Sequence, residues 1–143
     1  MVERENLEAS REIWTALNAH DMDRWAKLLD EGFLWQTDTL GAPVSGREAA
    51  RRTMQAYFTG FPDLRWTIEK EFASEEFVVT RWWATGHHRG EFWGISATDR
   101  PVQVHGCTIA QWRGRKQQQI WVYWDTGRLL EQLGVWRGQR EAA

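Results

Sequence analysis

The spacing of apolar residues changes once along this 143-residue chain, from a helical period to a period of two. In the first third they recur at helical spacing, as Leu7, Trp14 and Leu17 do. From Leu64 onwards they alternate with polar residues, which is typical of a half-buried strand. Helices followed by long strands predict an α+β domain, with helices packed on one face of a curved antiparallel sheet. Such a sheet would leave a cone-shaped cavity with one open mouth.

Local signals place the elements within this order. Asp21 is a predicted N-cap for a second helix. Ser45 and Glu48 form the pattern of a capping box, which predicts the start of a third helix at Ser45. The strands predicted after residue 76 are 77–88, 102–112 and 119–124, followed by a short helix over 128–133.

Composition bears on what the cavity would hold. The chain has 11 Trp against two Tyr and six Phe, and its 42% apolar residues are enough for one core. We therefore predict one domain over 1–143, with its core at about 6–134. Trp is hard to bury fully and often lines cavities and interfaces, so the excess indicates either core filling or an aromatic pocket.

Charge and cysteine content exclude several classes of protein. Lys and Arg number 18 against 20 Asp and Glu, a balance without the basic excess of a nucleic-acid binder. Cys107 is the one cysteine, so an internal disulfide is excluded. No apolar run approaches the roughly 18 residues of a membrane span, and the charged N-terminus does not resemble a signal peptide. We expect a cytoplasmic protein without a membrane partner.

The sequence gives little support for a metal-binding site or for a catalytic nucleophile. His87 and His88 are adjacent in a predicted strand, so their side chains should point to opposite faces. None of the usual metal-ligand spacings is present, and we predict no metal site. Cys107 lies mid-strand and is interpreted as a small buried apolar residue rather than a nucleophile.

Asp125 is the best candidate for a general base. In a strand it would share one face with Trp121 and Tyr123, and a carboxylate beside aromatic rings is partly desolvated, which suits proton abstraction. The alternative is that Asp125 caps the last helix. His88 and His105 are its candidate partners, although the sequence leaves open which of them faces the same side. The candidate walls for a flat apolar substrate are Trp35, Tyr57, Trp82, Trp121 and Tyr123.

Four blocks in order resemble the SnoaL-like polyketide cyclase family of the NTF2-like superfamily. They are the Phe-Pro-Asp-Leu of 61–64, the Gly-His-His-Arg-Gly-Glu-Phe of 86–92, the loop 94–102, and the Trp-x-x-x-Asp with Leu-x-x-Gln-Leu-Gly of 121–134. The resemblance runs from about Leu7 to Gly134. It implies the NTF2-like cone, with helices packed in a curved antiparallel sheet.

The resemblance also implies an activity. In cyclases of this type an aspartate on the last strand removes a proton alpha to a carbonyl, and an intramolecular aldol reaction closes a ring. Carried over, that residue is Asp125, and His88 would polarise the substrate or donate to the enolate oxygen. No metal or organic cofactor is implied, and the substrate would be a hydrophobic small molecule.

The chain departs from the family pattern in ways that leave the substrate open. His87 stands where the family has Thr, and Asp99 stands where it has Gly. Isomerisation, hydrolysis and ligand binding without catalysis therefore remain alternatives. One sheet face would expose large apolar residues, which predicts a homodimer or higher homo-oligomer and leaves open a domain that serves only as an interface.

Overall fold

The computed structural model describes residues 2–136. Its helices are α1 (Val2–Asn18), α2 (Met22–Lys27), α3 (Arg47–Gly60) and α4 (Thr126–Gln132). Its strands are β1 (Leu29–Gln36), β2 (Val44–Ser45), β3 (Arg65–Ser74), β4 (Phe77–His87), β5 (Pro101–Arg113) and β6 (Lys116–Trp124). Three helices thus precede the run of long strands, as the change of period predicts.

The strands form one six-stranded sheet in the order β2-β1-β6-β5-β4-β3. All neighbours are antiparallel except β1 and β6, which run parallel. The curved sheet predicted from the sequence is confirmed, and it is mixed because the pairing of β1 with β6 is parallel whereas its other pairings are antiparallel. A parallel pair needs a long connection, and here α3 and the β3–β5 meander supply it.

The two faces of the sheet differ because side chains alternate along each strand. On β4, Val78, Thr80, Trp82 and Ala84 are buried against the helices, while Arg81 between them is exposed. The helix-facing side is called the inner face below, and the opposite side the outer face. The α+β architecture inferred from the sequence is confirmed.

Helix starts show where local signals succeed and fail. Asp21 caps α2 as predicted, with its side chain accepting a hydrogen bond from the backbone N–H of Arg24 at 3.0 Å. The prediction that Ser45 caps the third helix was wrong. Ser45 pairs with Leu34 in β2, and Gly46, with φ of 88°, occupies the N-cap without a side-chain bond. Pairing with β1 therefore outweighs the local capping pattern.

The corner between α1 and β3 is held by polar side chains. Asn18 donates to the carbonyl of Trp66 at 2.9 Å and accepts from its N–H at 2.8 Å. His20 contacts the carbonyl oxygen of Leu64 through Nε2 at 2.7 Å and stacks on Phe58. These contacts fix the start of β3, and with it the indole of Trp66, against the helices.

Among residues 2–136, no helix combines the length and hydropathy needed to cross a bilayer.

Candidate functional site

A cavity of about 100 Å³ lies between the helices and the inner face of the sheet. This volume is several times the space that one buried water molecule needs, so the cavity can admit an organic molecule. Every helix except α2 and every strand except β2 contributes to its wall. The lining residues are Trp14, Trp35, Met54, Tyr57, Phe61, Leu64, Trp66, Trp82, Ala84, Val102, Val104, Thr108, Val122, Trp124 and Leu129.

Aromatic rings form most of this wall. Trp14 lies 6.1 Å from Trp66 and 6.4 Å from Trp82 between ring centroids. Trp35 and Tyr57 stack with an interplanar angle of 20°. Such surfaces bind flat apolar molecules through contact area and ring stacking.

Few polar atoms face this apolar wall. The Trp82 indole N–H donates to Thr108 Oγ1 at 2.9 Å, which satisfies it within the protein. Trp35 Nε1 is buried and has no partner in the part of the chain that the structure describes. Burial raises the pKa of Tyr57 to about 12, so its phenol stays neutral at ordinary pH. The lining residues thus include no carboxylate, imidazole or amine.

A glycine on β5 makes room for one of the wall rings. Gly106 pairs with Trp82 across the β4–β5 ladder. A Cβ added at Gly106 would lie 2.2 Å from the indole of Trp82, well inside the limit of atomic contact. The missing side chain therefore lets the Trp82 ring lie over β5.

An exposed aromatic residue lies beside the cavity. Trp93, on the loop between β4 and β5, stacks on Phe92 with centroids 4.4 Å apart. It also contacts two lining residues, Trp124 at 6.0 Å and Tyr57 at 6.5 Å. Its φ of 51° is uncommon for a bulky residue, so the packing around it holds the loop in this conformation. We did not predict Trp93 from the sequence.

Asp125 lies outside the cavity wall. It is exposed, and its Oδ1 accepts a hydrogen bond from the Arg128 N–H at 2.9 Å as the N-cap of α4. It does line two open grooves that it shares with Trp124, and Trp124 also lines the cavity. The burial that the sequence argument assumed is absent, because β6 ends at Trp124 and the chain turns into α4.

Trp121 and Tyr123 share the outer face with Asp125, so the structure does not bring them to the cavity. Tyr123 is 51% exposed, and the wall contains Val122 and Trp124 instead. This corrects the expectation that Trp121 and Tyr123 form substrate walls. The other three predicted wall residues, Trp35, Tyr57 and Trp82, do line the cavity.

His88 is fully buried but does not line the cavity. The backbone N–H of Thr98 donates to its Nδ1 at 3.2 Å, and the Thr98 hydroxyl lies 3.0 Å from the same atom. Nδ1 is therefore an acceptor, which places the ring proton of the neutral imidazole on Nε2. The ring packs against Phe61, a lining residue, so His88 joins the β4–β5 loop to the back of the wall.

The exposed side of the same loop is held by Asp63. Its carboxylate accepts from the backbone N–H of His87 and contacts His87 Nδ1, both at 2.7 Å. Partial burial alone would raise the pKa of Asp63, but these hydrogen bonds outweigh it and the pKa falls below its usual value. His87 and His88 thus point to opposite sides, as adjacent residues of a strand should.

His105 lies on the outer face, away from the cavity. It is exposed and packs on Trp83 with ring centroids 3.6 Å apart. Its neighbour Cys107 is half-buried; burial raises the pKa of this thiol, and the nearby Arg81 guanidinium lowers it by a smaller amount. The structure brings His105 and Asp125 together in one open groove, where the Asp125 backbone N–H donates to the His105 carbonyl at 3.3 Å, but it leaves His88 apart from them.

Trp14, Trp66 and Trp124 also line the cavity, although they were not among the wall residues predicted from the sequence. The alternation on β5 contains the missing signal, since apolar Val102 and Val104 mark the inner face. Transferring that face to β6 requires the β5–β6 register, in which Thr108 pairs with Val122.

Within the described range, no three His, Cys, Asp or Glu side chains come together as a metal site would require.

Comparisons with solved structures agree on the fold. AclR from Streptomyces galilaeus, a proposed hydroxylase, is 23% identical with a TM-score of 0.86. The alignment covers 96% of this chain and 85% of AclR. IdmH from Streptomyces antibioticus, a proposed polyketide cyclase, is 25% identical with a TM-score of 0.80. The alignment covers 91% of this chain and 99% of IdmH. A Catenulispora acidiphila protein with a ketosteroid isomerase-like fold, solved in complex with trimethylamine, is 19% identical with a TM-score of 0.77. The alignment covers 90% of this chain and 93% of that protein. A comparison with curated proteins gives no significant match.

The family comparison covers nearly the whole chain. The sequence profile described as SnoaL-like polyketide cyclase matches residues 6–133, from α1 through α4. Together with the mixed curved sheet and its helix-covered inner face, this match assigns the chain to the SnoaL-like polyketide cyclase family, with an NTF2-like fold.

Proposed function

We propose that this protein binds a flat, hydrophobic small molecule in the cavity and catalyses proton abstraction alpha to a carbonyl of that molecule. The observation that carries the proposal is the aromatic wall, which includes five Trp rings and no charged side chain. An apolar wall of this kind excludes water from a bound ring system. Cyclisation and isomerisation both begin with this proton transfer.

The general base in this proposal is Asp125. Its carboxylate lies in two open grooves beside Trp124, whose ring borders the cavity. A ligand extending from the cavity past Trp124 would present its carbonyl-bearing edge to this carboxylate. Oδ1 is engaged by the Arg128 N–H, which leaves Oδ2 to accept the proton. His88 takes no part, because it lines neither the cavity nor these grooves, whereas His105 lines one of the grooves together with Asp125 and is the candidate partner of the base.

Replacing Asp125 by Asn tests the base with little change to the fold. Asn caps helices about as well as Asp, so D125N keeps the bond to the Arg128 N–H while losing the basic oxygen. We expect D125N to slow deuterium incorporation into 2-indanone in D₂O, followed by proton NMR, by about 100-fold or more. Binding of 2-indanone should be unchanged, which separates loss of the base from loss of the site.

A binding module without catalysis is the second candidate. It is favoured by one observation, that Tyr57 is the one titratable side chain among the lining residues. Equal exchange rates for the wild type and D125N would remove Asp125 as the base. Binding of 2-indanone with no exchange above buffer would favour the binding module.

The outer face suggests a partner of its own. Cross-strand neighbours Phe72, Val79, Ile109 and Trp121 form an apolar row across four strands, here called the outer row. Phe72 is 51% exposed, and the other three are only half-buried. We propose that this row pairs with the outer row of a second copy, because a two-fold contact matches the same surface with itself.

A further inference from the structure

The wall of the cavity reaches solvent at two of its aromatic residues. Tyr57 and Trp124 are half-buried, and every other lining residue is buried. Their rings meet at 74° with centroids 6.3 Å apart. Trp124 also lines both of the open grooves that contain Asp125. The mouth of the cavity is therefore placed beside Tyr57 and Trp124.

Trp93 contacts both residues of this mouth. Its ring centroid lies 6.5 Å from that of Tyr57 and 6.0 Å from that of Trp124. Trp93 is not itself a lining residue, and it is 42% exposed. This position is that of a cover between the mouth and solvent rather than of a wall residue.

The backbone at Trp93 is one that a bulky side chain disfavours. Phe92 and Ile95 exchange two backbone hydrogen bonds, at 3.0 and 2.8 Å, and so enclose a two-residue turn. Both central residues have positive φ, 51° at Trp93 and 77° at Gly94, as a type I′ turn requires. Such a turn favours Asn, Asp or Gly at its first central position. An unfavourable residue kept at the mouth of a cavity indicates that its ring has a role there.

The turn is anchored by Phe92 and leaves the ring of Trp93 free to move. Phe92 is 2% exposed and packs on Phe61 with centroids 5.2 Å apart. It also lies close to Gly60, where an added Cβ would be 2.8 Å from the Cβ of Phe92. The base of the turn is therefore fixed. Exposed side chains change rotamer within nanoseconds, so the Trp93 ring can leave the mouth without a rearrangement of the loop.

We propose that Trp93 is the gate of the cavity: its ring closes the mouth against Tyr57 and Trp124 and rotates away to admit or release a ligand. This inference rests on the proposed function, since a gate has a role only where the cavity binds a ligand. A gate that closes equally over the empty and the occupied cavity slows entry and exit by the same factor. It leaves the equilibrium affinity unchanged, because it does not favour either state.

Two substitutions at Trp93 separate the ring from the turn. W93N removes the ring and suits a type I′ turn, whereas W93F keeps a ring at the mouth. Stopped-flow Trp fluorescence gives the association and dissociation rates of 2-indanone, and isothermal titration calorimetry gives its affinity. We expect W93N to raise both rates about tenfold with an affinity within about twofold of the wild type, since a minor open state is populated at about 10% or less. The rates of W93F should lie closer to those of the wild type than to those of W93N.

Acrylamide quenching of Trp fluorescence gives a second readout, which needs no ligand. W93N and W93F lack the same one of the 11 Trp residues, so a difference between them reports access to the remaining indoles. We expect a larger Stern–Volmer constant for W93N, because acrylamide reaches the wall indoles through the open mouth. Far-ultraviolet circular dichroism of both variants should match that of the wild type.

The outcomes distinguish the gate from the proposed function. If 2-indanone binds but exchanges equally fast in W93N and W93F, the gate is overturned and the ligand cavity stands. A weaker affinity of W93N at an unchanged association rate also overturns the gate, because Trp93 would then contact the bound ligand. If 2-indanone binds neither the wild type nor the variants, the proposed function fails. Equal acrylamide quenching of W93N and W93F would in that case overturn the gate as well.

Discussion

Tyr57 is the residue whose ionisation reports most directly on the cavity wall. Its pKa in the folded protein is about 12, against 10.0 for a solvated phenol, because burial disfavours the phenolate. The folded state thus holds its proton more tightly than the unfolded state. Stability from this residue is complete below pH 10 and is lost as the pH rises through about 12.

The chain has two Tyr, so absorbance can assign the late step. We expect an alkaline titration of phenolate absorbance to show a step near pH 12 that Y57F lacks and Y123F retains. Circular dichroism along the same titration shows whether the chain is still folded at each pH. A late step that persists in Y57F would contradict the burial of this phenol.

At the residue scale, alternation predicts which of two neighbours faces inward, provided one strand face is clearly polar. It separates Trp82 from Trp83 and His87 from His88, and the structure agrees in both cases. On β6 both faces carry aromatic residues, so parity alone cannot say that Trp124 lines the cavity. Asp125 was correctly recognised as a possible cap, but its exposure depends on where β6 ends.

At the element scale, the loop between β4 and β5 depends on a close backbone contact. The N–H groups of Arg89 and Gly90 both donate to the carbonyl of Gly60 at the end of α3, at 3.0 and 3.1 Å. A Cβ at Gly90 would lie 2.0 Å from the carbonyl oxygen of Thr59, which is backbone and cannot move alone. The loop that carries Trp93 is therefore positioned by a glycine.

G90A should destabilise the fold because the added methyl group separates the loop from α3. We expect a loss of about 1–3 kcal/mol in the free energy of unfolding, measured by urea denaturation. Gly41 offers a matched control, since a Cβ there meets nothing within 4 Å, and G41A should stay within about 0.5 kcal/mol of the wild type. Equal losses for the two variants would argue against the close contact.

Element types were largely predictable, whereas two of their arrangements were not. The long strands follow from alternation that extends over many residues, so local errors average out. The parallel pairing of β1 with β6 joins segments more than 80 residues apart, and no local pattern encodes it. The capping box at Ser45 failed for the same reason, because pairing with Leu34 determines that residue's backbone.

At the scale of the whole molecule, the outer row predicts the state of assembly. We expect the wild type to sediment as a dimer and I109D to sediment as a monomer with unchanged far-ultraviolet circular dichroism. Ile109 lies at the centre of the row, where a carboxylate would be buried without a partner. T85K, near the end of β4 on the same face, should remain dimeric. A monomeric wild type, or a dimeric I109D, would contradict the pairing.

The contacts between Trp14, Trp66 and Trp82 have an optical consequence. Indole rings whose centroids lie 6.1 and 6.4 Å apart exchange excitation energy before they emit. Their fluorescence is therefore a shared property of the group rather than of single residues. A quenching ligand that contacts one of these rings would therefore reduce the fluorescence of all three. Trp emission is thus a direct readout of ligand entry into the cavity.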